Sequence, residues 1–155
     1  MRVPQRREPA ADVGAGTRLD GATRSLLGQA DTAFVATRAP EHGADVAHRG
    51  GNPGFLRVVD DTTIVWPDYQ GNAMFNTLGN LQLDPSCGLT VVSPDDGTTL
   101  HLSGRGEVLW DLDDLPAFPG AQRVVALHVQ ASVRLDHAAP LRWRLERPAR
   151  NPPLT

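Results

Sequence analysis

The chain has 155 residues, 40% of them apolar and 5% aromatic, with a net charge of −3 and a pI of about 5.9. That length suits one domain with a core of Val, Leu and Ala, and the acidic balance excludes a nucleic-acid partner or an anionic membrane surface, which need a basic face. All 15 basic residues are Arg, which excludes Schiff-base lysine chemistry and the Walker A phosphate loop. The single cysteine, Cys87, excludes an internal disulfide. No apolar run is long enough to span a membrane, and no apolar core follows the charged N-terminus as in a secretory signal, so the expected location is the cytoplasm.

Residues Met1–Thr17 are rich in Arg, Pro, Ala and Gly without periodicity and are expected to form a disordered or loosely docked arm. The ordered domain is expected over 18–148, with an irregular tail over 149–155. Asp20 is a capping residue before a one-sided apolar stripe of Ala22, Leu26 and Leu27, which predicts a helix over Asp20–Ala30. Asp31–Arg38 alternates as a strand, with Ala33, Val35 and Thr37 on one face. Across the turn at Ala39–Gly43, Asp45–Arg49 is expected to be its hairpin mate. Gly50 and Gly51 then mark a bulge, a close approach of something flat to the backbone, or a plain loop.

Phe55–Val59 and Thr63–Trp66 read as a second hairpin around Asp60-Asp61-Thr62. A polar corner, Pro67–Asn72, leads into a helix ending at Leu83, before Asp84-Pro85. Gly88–Ser93 and Thr98–Trp110 follow as strands around the turn residues Pro94–Gly97, with Gly104 and Gly106 predicting a bend in the second. Gln122–Leu135 alternates again, and Leu141–Leu145 reads as a last short strand. Six to eight hairpin-linked strands with one or two short helices imply an all-β barrel.

Familiar catalytic patterns are absent. The five histidines show no H-E-x-x-H spacing and no metal is expected. No serine lies in G-x-S-x-G, and Gly104-x-Gly106 lacks the third glycine of a dinucleotide fingerprint. Asp111, Asp113 and Asp114 read as a solvated loop. The densest polar set lies in Ala47–Pro85: His48, Arg49, Arg57, Asp68, Asn72, Asn76, Thr77 and Asn80. It suits either a ligand site or ordinary turn and capping chemistry. A helix start at the polar corner offers unpaired backbone N–H groups to an anion.

The residues His48–Gly51, Pro53–Phe55, Asp60, Thr63, Pro67-Asp68, Gly71-Asn72, Thr77–Leu81 and Asp84-Pro85 resemble the pyridoxamine 5'-phosphate oxidase-like, FMN-binding split-barrel family. The likeness extends over about Asp20–Arg147 and includes Gly104, Trp110-Asp111 and Pro140–Trp143. It implies an all-β, six-stranded antiparallel split barrel that forms a homodimer with FMN at the subunit interface. It also implies a flavin-dependent oxidoreductase acting on a small molecule, with the redox chemistry carried by the flavin. By position, the ring would lie along Ala47-His48-Arg49-Gly50, and ribityl and pyrimidine contacts would come from Trp66, Pro67 and Asp68. The phosphate would lie at Gly71, Asn72, Ala73 and Met74 through to Thr77. Many relatives carry a cation where this chain has Ala73 or Met74, so Arg49, Arg57 or an arginine of a second subunit is expected to replace it. Alternatives are a split barrel that binds haem or the deazaflavin F420, and a dimeric, non-catalytic binding module. No side chain is marked as a catalytic acid or base.

Overall fold

A computed structural model describes residues 12–69, 76–111, 118–140 and 142–143. Local sequence sets the first elements. Asp20 accepts the Thr23 backbone N–H at 2.7 Å and caps helix α1 (Gly21–Gln29), as its position predicts. In β2 (Thr32–Ala39) alternate residues Ala33, Val35, Thr37 and Ala39 are buried while Phe34, Ala36 and Arg38 face out. Its hairpin mate β3 (Gly43–Gly50) pairs over its whole length, Thr32 opposite Gly50 and Ala39 opposite Gly43.

The remaining elements are β4 (Arg57–Val58), β5 (Thr63–Asp68), α2 (Asn76–Leu83), β6 (Ser86–Val92), β7 (Thr99–Leu109) and β8 (Arg123–Leu135). All pairings are antiparallel, and the sheet runs β3-β2-β6-β7-β8-β5-β4 without closing on itself. This is the split-barrel architecture that the family resemblance implies; the alternation and turns by themselves imply an all-β barrel. The main core joins α1 and α2 to the inner faces of β2 and β5–β8, with Leu27, Ile64, Trp66, Leu89, Leu100 and Leu127 fully buried.

Several expectations are corrected. The N-terminal arm is not loose up to Thr17: β1 (Asp12–Gly16) pairs with Ser132–Leu135, at the end of β8 that β5 leaves free. Phe55 and Leu56 are buried core residues that precede a two-residue strand. Pro67 and Asp68 are not a corner but the end of β5, paired with Val124 and Arg123. Every residue of β5 is buried, because Ile64 and Trp66 face the main core while Val65 packs in a second cluster with Phe118, Val124 and Ala126. A strand covered on both faces shows no alternation. Pro67 falls on the part of β5 that β4 does not cover, where a missing N–H is tolerated. Arg142 and Trp143 lie outside any strand, and Trp143 meets Pro94 and Asp31 instead.

Glycine explains two irregularities. The β7–β8 register slips between Ser103 and Gly104, leaving Gln130 unmatched, and a Cβ on Gly104 would lie 2.0 Å from the His128 carbonyl oxygen. The predicted bend is therefore a bulge that only glycine allows. At Gly51 the flat group that approaches is internal: a Cβ there would lie 2.6 Å from the Phe55 ring.

Candidate functional site

The site is assembled by the start of α2, the end of β3 and the end of β5. Strand alternation turns Arg49 inward, toward the helix. Its Nη2 donates to the Thr77 hydroxyl at 3.0 Å, and its Nη1 donates to the His48 carbonyl at 3.0 Å. Thr77 itself is buried. No carboxylate comes within ion-pair distance of Arg49 among the described residues. Burial pushes its guanidinium below the ordinary arginine value, and the more distant carboxylates of Asp68 and Asp45 act in the opposite sense. An arginine remains charged under such a shift. The result is a half-buried cation satisfied only by neutral oxygens, beside a helix start that favours negative charge.

Asp68 is the buried anion of the region, but it is already engaged. Arg123 of β8 holds its Oδ2 through Nε at 3.0 Å and Nη2 at 2.9 Å. The Arg123 guanidinium also lies 5.3 Å from the centre of the exposed Trp110 ring. Asp68 therefore anchors β5 to β8, and its carboxylate acts on Arg49 only from a distance.

The other expected residues separate. His48 points to the outer face of β3, edge-on to Phe34 with ring centres 5.8 Å apart, away from Arg49. Gly50 ends β3 opposite Thr32, and a Cβ there would press on the His48 ring at 3.1 Å. Arg57 stacks over Phe118 at 4.7 Å on the side of the second cluster. Trp66 is a core residue, 1% exposed, whose indole N–H has no acceptor among the described residues. Pro67 is buried in β5. Gly71, Asn72, Ala73 and Met74 lie outside the described residues. The structure thus brings together Arg49, Thr77 and Asp68. It adds Arg123 and Asp45, which the sequence reading did not single out. Arg123 lies 55 residues from Asp68, so only the β5–β8 register could have revealed that pair.

The strands form an open antiparallel split barrel, with Arg49 beside the start of α2. The sequence profile described as pyridoxamine 5'-phosphate oxidase matches residues 19–146, and the chain belongs to that family. No curated protein matches it. Among solved structures, a single-substitution form of HupZ from Group A Streptococcus is 14% identical, with a TM-score of 0.62 over 76% of this chain and 99% of that one. An F420 reductase is 18% identical with a TM-score of 0.52, covering 70% of this chain and 94% of its own. An FMN-binding protein from Syntrophomonas wolfei is 13% identical with a TM-score of 0.51, covering 72% and 82%. At such identities the likeness shows the fold. No described helix is long and apolar enough to cross a membrane.

Proposed function

We propose that this protein binds FMN and serves as a flavin-dependent oxidoreductase for a small molecule, with Arg49, held by Thr77, receiving the phosphate. The observation that carries this reading is Arg49 itself. A half-buried guanidinium whose hydrogen-bond partners among the described residues are neutral oxygens leaves its charge available to an anion. The residues present fit a phosphate. Arg49 supplies the charge that Ala73 and Met74 do not, the buried Thr77 hydroxyl holds its guanidinium in place, and the helix start supplies a favourable dipole. Family membership supports a flavin as the phosphorylated group.

When bound, the flavin supplies the redox chemistry. The chain's part is positional. Arg49 fixes the phosphate end, the Asp68–Arg123 pair ties the end of β5 to β8, and Trp66 packs that strand into the core. We further propose that two copies of the chain enclose the ring. The outer face of the β2–β3 hairpin supports this, since Phe34 is 41% exposed and Val46 65% exposed on the same face as His48.

The absorbance spectrum of protein purified without added cofactor tests the reading, with mass spectrometry of what heat releases. Flavin bands and released FMN are expected, and size-exclusion with light scattering should give a dimer. A deazaflavin or Soret spectrum, or a colourless protein that ignores added FMN, contradicts it.

A further inference from the structure

A second concavity lies farther along the same helix. Helix α2 runs alongside the β2–β3 hairpin, with Thr77 near Arg49 and Leu83 near the hairpin tip. A cleft of about 460 Å³ lies between them. One face of α2 borders it through Asn76, Gly79, Asn80 and Leu83, at the spacing that puts residues on one side of a helix. Across the cleft stand Asp45 and His42, with Ala39 and Ala44 as apolar wall.

Three of the polar side chains here, His42, Asp45 and Asn76, make no hydrogen bond or ion pair among the described residues. Asn80 is tied down, its Nδ2 donating to Thr37 at 3.1 Å. A concave site with an apolar wall and a few convergent unpaired polar groups is the usual form of a small-molecule site. Among the described residues that line it there is one carboxylate, Asp45, and no arginine, so a second phosphate is disfavoured there and hydroxyl groups are favoured. A carboxylate that accepts both hydroxyls of a vicinal diol is the common means of holding a ribose. Asp45 precedes Arg49 by four residues on the same face of β3, a separation of about 13 Å along the strand.

We infer that this cleft is a nucleoside subsite: the ribose diol binds Asp45, the base lies against Ala39, Ala44 and Leu83, and the adjoining phosphate reaches the Arg49–Thr77 cradle. The inference rests on the proposed role of Arg49 and extends it from a mononucleotide to a dinucleotide. The shared chemistry is an adenosine diphosphate group, which a dinucleotide flavin and a nicotinamide dinucleotide both carry.

Calorimetry on the full chain tests it with ADP as the probe and Gly79→Phe as the main variant. Gly79 borders the cleft and a Cβ there meets nothing within 4 Å, so the new ring enters open space. Replacing a helical glycine does not weaken the helix, and circular dichroism checks the fold. ADP affinity should fall about tenfold or more in Gly79→Phe and in Asp45→Asn. FMN affinity should be unchanged in Gly79→Phe, which lies away from Arg49. FAD or NADH showing the same losses as ADP identifies the source. ADP that does not bind, or binds equally to both variants and wild type, overturns the inference and leaves the FMN reading intact. ADP binding with these losses while FMN is ignored overturns the FMN reading alone.

Discussion

Removing Arg123 tests the packing on which the site depends. Its side chain is 14% exposed and that of Asp68 is 6% exposed, and two guanidinium nitrogens converge on one carboxylate oxygen at 2.9 and 3.0 Å. Arg123→Met keeps most of the stem and removes the charge, leaving a buried carboxylate without its cation. Breaking such a pair by removing one partner typically destabilises by about 3–5 kcal/mol, a large part of the roughly 5–15 kcal/mol that holds a domain together. At about 2–4 °C per kcal/mol for a chain of this size, the midpoint should fall by about 6–20 °C. Thermal and urea unfolding by circular dichroism provide the measurement. The double variant Asp68→Leu with Arg123→Met should recover much of the loss, because the stranded charge is gone. A loss below about 1 kcal/mol in Arg123→Met, or a double variant as unstable as the two singles combined, would refute the view that this pair is closed to water and coupled.

Gly104→Ala should destabilise by more than about 3 kcal/mol or prevent folding, read by soluble yield and thermal melting, because its Cβ meets the His128 carbonyl at 2.0 Å. Asp20, Asp60 and Asp96 accept backbone N–H groups of Thr23, Thr62 and Thr98, which holds each carboxyl below the ordinary 3.8. Groups with a depressed folded pKa stabilise the protein above their unfolded value and lose that effect as pH falls through the folded one. Asp20→Ala should therefore cost about 1 kcal/mol at neutral pH, and the difference from wild type should shrink as the pH falls below the ordinary 3.8, read by urea unfolding. Burial pushes the Cys87 thiol up to about 12, so a thiol reagent at pH 8 should label the unfolded chain and spare the native one.

Where one face of an element is solvated, its pattern is plain in the residues. The alternation of Ala33, Val35 and Thr37, the cap at Asp20 and the glycine-marked bend at Gly104 are each local properties, and each has its expected structure. Where burial is two-sided or pairing is distant, the local pattern fails. β5 reads as ending before Pro67 because nothing near it reveals the second cluster formed by Phe118 and Val124. β1 carries no apolar pattern and owes its place to the free edge of β8. In the site, Arg49, Asp68 and Thr77 stand out as polar residues between core strands, whereas Arg123 and Asp45 gain their meaning only from the register and from the helix opposite. His48 and Arg49 are neighbours in sequence and divided by the pleat.

The central claim is that Arg49 completes an anion cradle for a phosphorylated flavin. FMN titrated into wild type and into Arg49→Ala by calorimetry, under identical salt, tests it most directly. Loss of one charge-assisted contact of about 1.5–3 kcal/mol predicts an affinity lower by about 10- to 150-fold in the variant, with the fold intact by circular dichroism. Equal FMN affinity in the two proteins would contradict the account.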